Sequence, residues 1–548
     1  RDCLLSRGLG DVYKRQAVMF PRNGKPFVRT ATPLARAIGG CMSKKPRMSR
    51  LSRFRLRTTT TNSFYPVTAG RCFPPAVFLT GLTMKNEELK KIWAEKFKQV
   101  PGILENVRQV KSAATAFNTN VDAVLKLKGA DLEKLIAAEK LSLRDLTNIE
   151  RTKLLAPSDV VKGIFKCFKS GIAEEWLTED KTVYDWMVKN LGYDRLQMGG
   201  QGGIVANALA VAGVGKVIAH TNSLPKLQAD QFLKLDNLVS YDERGVEKPA
   251  CKIDRQTDIP LIHWIIEFDK DDSVSVDGEK FVCPKSNRFI ATYDPLNLHL
   301  VVDENFIRAL SKDKAEYIVL SGFHALTEQN NGVKLQDDIL PIINAWKVQG
   351  SLIHLEIAST QDIAVRRALI RKIAPLADSI GINEREAIDI LEVIGEEKLA
   401  EECNVHTTSV NMFKALLKIK HRIGAPRIQL HMFGLYITLT DKGFRISPEA
   451  NLRGMMLAAT VAAGKAGTGN INKAENLLWA CGREVSDVGL RELADLADFI
   501  GNEKLVETGI GSYDGFDVIA LPTIIIEKPL TLVGMGDTIS SLSLLAAR

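Results

Sequence analysis

The pattern of apolar and polar positions from Glu87 onward alternates between two kinds of segment. Short apolar runs that end in polar or glycine residues predict strands, as in "KVIAHTN", "IPLIHWIIEFD", "EYIVLSGFHAL", "GSLIHLEIAS", "ADSIGINE" and "PRIQLHMFGLYITLTD". Amphipathic stretches such as "NEELKKIWAEKFKQVPGIL" and "VYDWMVKNLG" predict helices between them. Strands that alternate with helices indicate an α/β fold, with a mostly parallel central sheet covered by helices on both faces.

Acidic motifs fall at the ends of two predicted strands. "HLE" ends in Glu356, and "NERE" contains Glu386. Ligands of parallel sheets bind outside the carboxyl ends of the strands, where carboxylates can hold Mg²⁺ opposite a substrate phosphate. Each acid could equally be an ordinary surface or capping acid, because Asn383 and Glu386 have the spacing of a capping box.

Near the C-terminus, "TLVGMGDTIS" puts Asp537 after a glycine turn, at the predicted start of the last helix. The free N–H groups and partial positive charge of a helix N-terminus suit a phosphate. Asp537 is therefore either an N-cap residue or a base held beside a bound phosphate.

Three further motifs carry polar side chains that suit a sugar or a phosphate. "FNTNVDAV" is expected to hold Asn118, Asn120 and Asp122 in one turn, where they either stabilise the turn or hydrogen-bond sugar hydroxyls. "MGGQGGIVAN" predicts a glycine turn that leads into a helix. His263 is either a satisfied core histidine or a ligand, and Arg288 is either a surface residue or a bidentate phosphate ligand.

The composition is that of a globular protein, with 45% hydrophobic and 25% charged residues among 548. No run of eighteen apolar residues occurs, so we expect no membrane span. The eight cysteines form no C-x-x-C pair, which argues against a zinc site or a disulfide framework.

The net charge of +8 is unevenly distributed along the chain. Residues 1–86 carry 17 Lys and Arg but two acids, a net of +15, so the remaining chain carries −7. The tail at 1–86 is rich in Arg, Ser and Thr, which is typical of a targeting peptide or of a disordered basic tail. Its first 16 residues resemble translated adapter sequence and are expected to be non-native. The acidic body argues against a nucleic-acid partner.

Taken together, eight motifs resemble the ADP-dependent sugar kinases, the ADP-dependent glucokinases and phosphofructokinases of the ribokinase-like superfamily. In chain order they are "FNTNVDAV", "MGGQGGIVAN", "IHWIIEF", "SNRFIATYDPLN", "HLEIAS", "INERE", "RIQLHMFGLYI" and "GMGDTIS". The resemblance implies a ribokinase-like kinase domain over 87–548. It also implies a smaller sheet-containing lid domain, built from segments near 123–195 and 235–290.

The resemblance implies a role for each matching residue. Asp537 matches the catalytic base, and Gly534, Met535 and Gly536 match the turn whose amides form the anion hole. The metal-associated acids are Glu356 and Glu386, with Mg²⁺ or another divalent cation. The sugar-contacting positions are Asn120, Asp122, Gly200, Gln201 and His263. The nucleotide and phosphate positions are Arg288, His431 and Tyr436.

The function implied is that of an ADP-dependent glucokinase, which phosphorylates the 6-hydroxyl of glucose with ADP and releases AMP. "KSGIAEEW" supplies Glu174 and Glu175 near the position of a sugar-site glutamate that glucokinases have, and we assign it to Glu175. The alternatives are an ADP-dependent phosphofructokinase, a bifunctional enzyme, and an inactive sugar- or nucleotide-binding relative. The basic tail predicts a cytoplasmic or organellar location. The sequence leaves the oligomeric state open, with a monomer as one option.

Overall fold

The computed structural model describes the backbone of residues 77–149, 153–531 and 534–548, with side chains from residue 86 onward. The predicted tail at 1–86 therefore lies outside the described residues, apart from its last ten backbone positions. From there to the C-terminus the chain alternates between helices and strands, as the apolar pattern predicts.

The helices of the described part are α1 (Val77–Phe97), α2 (Val100–Arg108), α3 (Gly129–Ala138), α4 (Leu143–Thr147), α5 (Pro157–Ser170), α6 (Lys181–Asn190), α7 (Gln201–Ala212), α8 (Lys226–Ala229), α9 (Pro295–Leu298), α10 (Glu304–Lys312), α11 (Gly332–Val348), α12 (Ile363–Ala368), α13 (Glu384–Ile394), α14 (Glu397–Val405), α15 (Ser409–Ile423), α16 (Pro448–Thr468), α17 (Ala474–Leu478), α18 (Asp487–Ile500), α19 (Leu505–Thr508) and α20 (Met535–Ala546). Short 3₁₀ turns occupy Ala250–Lys252, Phe323–Ala325, Glu328–Asn330 and Ala374–Leu376, and a π turn occupies Leu369–Ile373.

The strands are β1 (Ala113–Ala116), β2 (Asn120–Lys126), β3 (Glu174–Thr178), β4 (Arg195–Gly199), β5 (Val217–Ala219), β6 (Leu238–Tyr241), β7 (Glu247–Pro249), β8 (Ile262–Phe268), β9 (Ser273–Val276), β10 (Glu279–Val282), β11 (Asn287–Tyr293), β12 (Tyr317–Leu320), β13 (Leu352–Glu356), β14 (Ser379–Ile382), β15 (Arg427–Met432), β16 (Leu435–Asp441), β17 (Ile510–Tyr513) and β18 (Phe516–Pro522).

A large eleven-stranded sheet forms the body of the molecule, in the order β17-β18-β16-β15-β14-β13-β12-β1-β5-β6-β7. Its centre, from β15 to β6, is parallel, and antiparallel strands close both edges. Central strands such as β12 and β13 are buried at every position, because helices cover both faces. The α/β fold with a mostly parallel sheet is confirmed.

A second, five-stranded sheet has the order β3-β11-β8-β2-β4 and mixes parallel and antiparallel pairs. It has a hydrophobic core of its own, separate from that of the large sheet. The segment expected near 235–290 begins too early, because β6 and β7 pair within the large sheet. The strands that build the small sheet lie within 120–199 and 262–293. Its role as a lid stays a prediction.

Two local predictions are wrong in detail. "PRIQLHMFGLYITLTD" is not one strand but the antiparallel hairpin β15–β16, which turns at Gly434, where φ is +88°. Glycine adopts this left-handed backbone conformation without steric cost. Asn120 and Asp122 lie not in a turn but on β2, where a period of two puts both side chains on the same face of the sheet. No helix of the described part is long and apolar enough to cross a membrane.

Candidate active site

The N-terminus of α20 is the centre of the site. Gly534 is its N-cap residue with φ +62°, and Asp537 is the third helical residue, so the alternative role of Asp537 as N-cap is wrong. The first N–H groups of a helix have no partner within it, and they carry the positive end of its dipole. Gly534, Met535 and Gly536 therefore present a turn suited to bind an anion.

Two cavities meet at this helix start. The first, here called the polar cleft, is open to solvent and is lined by Asn118, Asn120, Asp122, Glu175, Arg195, Gly200, Gln201, Ile204, His263, Ile265, Glu267, Ser286, Arg288, Ile290, His324, Pro529, Leu530, Thr531, Gly534 and Asp537. The second, here called the apolar cavity, is lined by Asn383, Glu384, His431, Met432, Phe433, Gly434, Tyr436, Ala462, Ala463, Ala466, Thr523, Ile524, Ile525, Ile526, Pro529, Met535, Gly536 and Ile539. Gly534 and Asp537 face the polar cleft, and Met535 and Gly536 face the apolar cavity.

Asp537 is held in position by Gln201, the first residue of α7. Gln201 Nε2 donates to Asp537 Oδ1 over 2.6 Å, and Gln201 Oε1 accepts from the Gly322 N–H over 3.2 Å. Both ends of the Gln201 amide are thus engaged by protein atoms, although the sequence assigns this residue to the sugar. Burial, together with the negative charge of Glu356, raises the pKa of Asp537 to about 6. Such a carboxylate is ionised at neutral pH yet basic enough to take a proton.

Lys465 of α16 supplies a buried positive charge behind the same turn. Its Nζ donates to the Gly534 carbonyl over 3.0 Å, and that carbonyl also accepts from Thr538 Oγ1 over 2.8 Å. Burial lowers the pKa of Lys465 to about 8, although the charges of Asp537 and Asp122 act in the opposite direction. The lysine therefore fixes the glycine turn and offsets nearby negative charge.

The small sheet contributes a pair of buried polar residues from β2. Asn120 Nδ2 donates to Asp122 Oδ1 over 3.0 Å, whereas Asn120 Oδ1 has no partner in the described part of the chain. Gly199 stands opposite Asn120 on β4, and a Cβ there would lie 2.2 Å from Asp122 Oδ1. Burial raises the pKa of Asp122, an effect that the charge of His263 opposes. Both residues are buried, and both line the polar cleft.

His263 and Glu175 complete the small-sheet side of the cleft. His263 Nε2 lies 3.0 Å from Asp294 Oδ2. Burial alone would lower the pKa of His263, but the bond to Asp294 and the negative charges of Glu175 and Asp122 raise it to about 9. Glu175 lines the cleft and accepts from Thr292 Oγ1 over 2.7 Å.

The neighbouring glutamates Glu174 and Glu175 of β3 have different surroundings. Glu174 bonds Lys166 over 2.7 Å and the Trp176 indole over 2.8 Å, and it does not line the cleft. Successive side chains of a strand point to opposite faces, so one of the two glutamates faces the cleft. Of the two glutamates, Glu175 lines the polar cleft, and its role at the sugar stays a prediction.

Two other predicted positions also lie at the polar cleft. The resemblance groups Arg288 with His431 and Tyr436, but Arg288 of β11 lines the polar cleft and the other two line the apolar cavity. Gly200 has φ +71°, and a Cβ there would lie 2.7 Å from the Asn118 carbonyl. The polar cleft thus collects the predicted sugar positions, a phosphate-type arginine and the candidate base.

His431 and Tyr436 face each other across the β15–β16 hairpin and line the apolar cavity. Burial raises the pKa of Tyr436 and lowers that of His431, so both are neutral at pH 7. Ile524, Ile526 and Met535 add apolar surface. An apolar slot beside an anion-binding helix start suits a nucleotide, with the base in the slot and the phosphates at the helix.

Glu356 and Glu386 are both buried close to this turn. Glu386 forms the capping box of α13, where its carboxylate accepts from the N–H and Nδ2 of Asn383 over 2.8 and 2.9 Å. Glu356 accepts from Ser540 Oγ. Burial raises the pKa of Glu386 well above its usual range, and the negative charge of Glu356 adds to that shift.

These two carboxylates fit a divalent cation in one particular way. Their oxygens are the donors that Mg²⁺ prefers, and their mutual repulsion would be relieved by a cation. Several of those oxygens are already engaged by Asn383 and Ser540. No group of three or more His, Cys, Asp or Glu side chains in the described ranges is arranged to hold a metal. Glu356 and Glu386 would hold a divalent cation with the coordination sites that remain on their oxygens, and the ion would supply positive charge opposite a phosphate.

Three residues of the site were not identified from the sequence. They are Lys465, Asp294 and His324, which respectively anchor the turn, pair with His263 and line the polar cleft. Each of them carried a signal in the sequence. His324 follows a predicted strand end, Asp294 ends the apolar run of the motif "SNRFIATYDPLN", and Lys465 interrupts the apolar run "AATVAAGKAG".

The sequence model of the ADP-specific phosphofructokinase/glucokinase conserved region matches residues 111–546. An ADP-dependent glucose/glucosamine kinase of Pyrococcus furiosus is 33% identical over 461 residues, which cover 82% of this chain and 97% of the relative. An ADP-specific phosphofructokinase of Methanosarcina acetivorans is 28% identical over 448 residues, or 78% of this chain and 91% of the relative.

Solved structures agree with these sequence matches. The last common ancestor of ADP-dependent phosphofructokinases from Methanosarcinales superposes with a TM-score of 0.74 at 28% identity, over 84% of this chain and 98% of the other. An ADP-dependent kinase in complex with fructose-6-phosphate and ADPβS superposes with a TM-score of 0.69 at 27% identity, over 83% and 97%. This chain thus aligns with nearly the whole length of relatives that are named glucose/glucosamine kinase and of relatives that are named phosphofructokinase.

Proposed function

This chain belongs to the ADP-specific phosphofructokinase/glucokinase family, and from that premise we propose that it is an ADP-dependent glucokinase. It is an ADP-dependent sugar kinase. The proposal adds the acceptor: the terminal phosphate of ADP goes to the 6-hydroxyl of glucose, giving glucose 6-phosphate and AMP. The observation that carries the proposal is Glu175, which lies at the polar cleft together with Asp122.

In this proposal Asp537 removes the proton of the sugar hydroxyl. The hydroxyl oxygen forms a bond to the β-phosphorus of ADP, the bond from that phosphorus to the bridging oxygen breaks, and AMP leaves. A pKa of about 6 keeps the carboxylate ionised at pH 7. The Gln201 amide holds it in the polar cleft.

The start of α20 binds the transferring group. The N–H groups of Gly534, Met535 and Gly536 stabilise the charge that develops on the phosphoryl oxygens. Lys465 keeps the turn in place through the Gly534 carbonyl. Glu356 and Glu386 would hold Mg²⁺, and the ion would neutralise phosphate charge.

The choice of sugar follows from charge. Glucose is neutral and needs hydrogen-bond partners, which Asn120, Asp122 and Glu175 supply. Asp122 and Glu175, two of the acids that line the cleft, repel the phosphate of fructose 6-phosphate if it lies beside them. These residues therefore support glucose over a sugar phosphate.

Phosphofructokinase is the second candidate, and Arg195 and Arg288 favour it. Both line the polar cleft and could contact a sugar phosphate. Arg288 also has a role in the glucokinase proposal, at the phosphate that is transferred. Arg195, at the edge strand β4, is the residue that would distinguish the two sugars.

A coupled assay of the purified chain tests the function. We expect a higher kcat/KM for glucose than for fructose 6-phosphate with ADP as donor, and AMP as a product. A higher kcat/KM for fructose 6-phosphate would reject the glucokinase proposal and favour its rival. Asp537→Asn should fold normally and lose turnover by about 10²-fold or more with either sugar. A folded Asp537→Asn variant with a nearly unchanged kcat would contradict its role as base.

A further inference from the structure

His324 lies in the polar cleft, where none of the motifs above assigns it a role. It belongs to the 3₁₀ turn Phe323–Ala325, which follows β12 of the large sheet. The turn is firmly supported, because Phe323 is buried and its ring meets Phe117 edge-on with centroids 5.7 Å apart. The preceding Gly322 donates its N–H to Gln201, the residue that holds the candidate base. The turn thus fixes His324 relative to Asp537.

The imidazole of His324 has no hydrogen-bond partner in the described part of the chain. Its Nδ1 is shielded from solvent and unpaired. An unsatisfied buried polar atom costs about 1–3 kcal/mol, so native structures nearly always provide a partner for it. A side chain that lines a ligand cleft and lacks a protein partner is placed to receive one from the ligand.

The surroundings favour a neutral ring that can both donate and accept. Burial lowers the pKa of His324, against the opposing effects of Glu175, Asp537 and Asp294, and His263 lowers it further. A neutral imidazole has one N–H donor and one nitrogen acceptor, a combination that matches a hydroxyl group. By contrast, His263 in the same cleft is bonded to Asp294.

We propose that His324 is a sugar-binding residue of the large sheet, whose imidazole hydrogen-bonds a hydroxyl group of the hexose opposite Asn120, Asp122 and Glu175. Those three partners all belong to the small sheet. Gln201 also lines the cleft, but its amide is already bonded to Asp537 and to the Gly322 N–H, whereas the His324 imidazole has no such bond in the described part of the chain. His324 therefore gives the large sheet its own contact with the sugar and aligns the acceptor with the base. The inference rests on the proposed function only in taking a hexose as the ligand.

The test combines variants with altered substrates. His324→Ala and His324→Gln are compared with His421→Ala, a control at an exposed histidine paired with Asp514. Steady-state constants are measured at saturating ADP for glucose and for its 1-, 2-, 3- and 4-deoxy analogues, and at saturating glucose for ADP. Glucose binding without nucleotide is measured by calorimetry.

We expect His324→Ala to lower kcat/KM for glucose by about 10-fold or more, with a weaker calorimetric affinity and an unchanged KM for ADP. With the deoxy analogue that lacks the contacted hydroxyl, the variant and the wild type should perform alike. Gln offers both a donor and an acceptor, so His324→Gln should recover part of the loss. The control should match the wild type.

An equal loss with glucose and every deoxy analogue, or a loss confined to the KM for ADP, would overturn the proposal. If His324→Ala fails to fold, His324→Leu takes its place, and a folded His324→Leu that binds each sugar as the wild type does would also overturn it. Should the wild type use fructose 6-phosphate and not glucose, the proposed glucokinase activity fails. The His324 assignment is then decided by the KM for fructose 6-phosphate in the same variants, which must rise at least about 10-fold in His324→Ala.

Discussion

Gln201→Ala separates the two roles open to this glutamine, sugar contact and support of the base. In the structure Gln201 donates a 2.6 Å hydrogen bond to the Asp537 carboxylate and is anchored by the Gly322 N–H. A hydrogen bond to a charged group contributes about 1.5–3 kcal/mol. If that energy orients the base, kcat should fall by roughly 10- to 100-fold. The KM for the sugar should change little.

The pH dependence gives a second, independent expectation. The bond from Gln201 stabilises the ionised form of Asp537 and so lowers its pKa, which lies at about 6. Its removal raises that pKa by roughly one unit, since one unit corresponds to about 1.4 kcal/mol. A base must be deprotonated, so activity is lost as pH falls through this pKa. The acid limb of kcat should therefore move to higher pH in the variant.

The assay is kcat and KM from pH 5.5 to 8.5, with Gln349→Ala as a control at an exposed glutamine. Above pH 8 the carboxylate is ionised in both proteins, and the remaining difference reports orientation alone. Superimposable acid limbs with an unchanged kcat would refute the reasoning. If the variant changes only the KM for glucose, and that KM rises, Gln201 contacts the sugar and does not support the base.

Glu356→Gln and Glu386→Gln should each raise the Mg²⁺ concentration for half-maximal activity by about 10-fold or more. Glu397→Gln, at an exposed glutamate, is the control. An unchanged magnesium dependence in both variants would reject the metal role of the two acids. Lys465→Met should lower kcat yet raise Tm at pH 7. The pKa of Lys465 falls from 10.5 to about 8 on folding, so the cost of its buried charge is present below pH 8 and disappears as pH rises toward 10.5. The Gly534 carbonyl keeps a hydrogen bond in that variant, because Thr538 still donates to it. The difference in Tm between variant and wild type is measured by thermal unfolding from pH 7 to 10.5. A Tm of the variant below that of the wild type at pH 7 would contradict this prediction.

The sequence predicts the α/β layers and most strands, because apolar runs and the glycines that end them are signals contained in short stretches of the chain. The residues that line the cleft were grouped by the family resemblance and not by the edge of the parallel sheet, because Asn120, Asp122 and His263 lie on strands of the small mixed sheet. The hairpin at Gly434 was missed because β15 and β16 are both apolar and only a two-residue turn separates them. The boundary between the sheets was misjudged because β6 and β7 look like any other strands until their partners are known.

What the sequence could not predict are contacts between distant parts of the chain. Gln201 and Asp537 are 336 positions apart, and no local pattern links them. Glu386 is another example. Its capping box with Asn383 could be recognised in the sequence, but its electrostatic repulsion from Glu356 depends on tertiary packing. Lys465 is buried only because α16 packs behind the glycine turn.

The meeting of two cavities at the start of α20 also shapes how an inhibitor could be built. A single compound with an adenosine end and a hexose end could occupy both cavities, and its linker would pass Gly534 and Gly536. Space there is narrow: a Cβ added at Gly536 would lie 2.6 Å from His431 Nε2. The linker must therefore be unbranched at that point and carry acceptors for the helix amides. Such a compound would gain affinity from joining two ligands in one molecule, and one with a bulky linker would lose it.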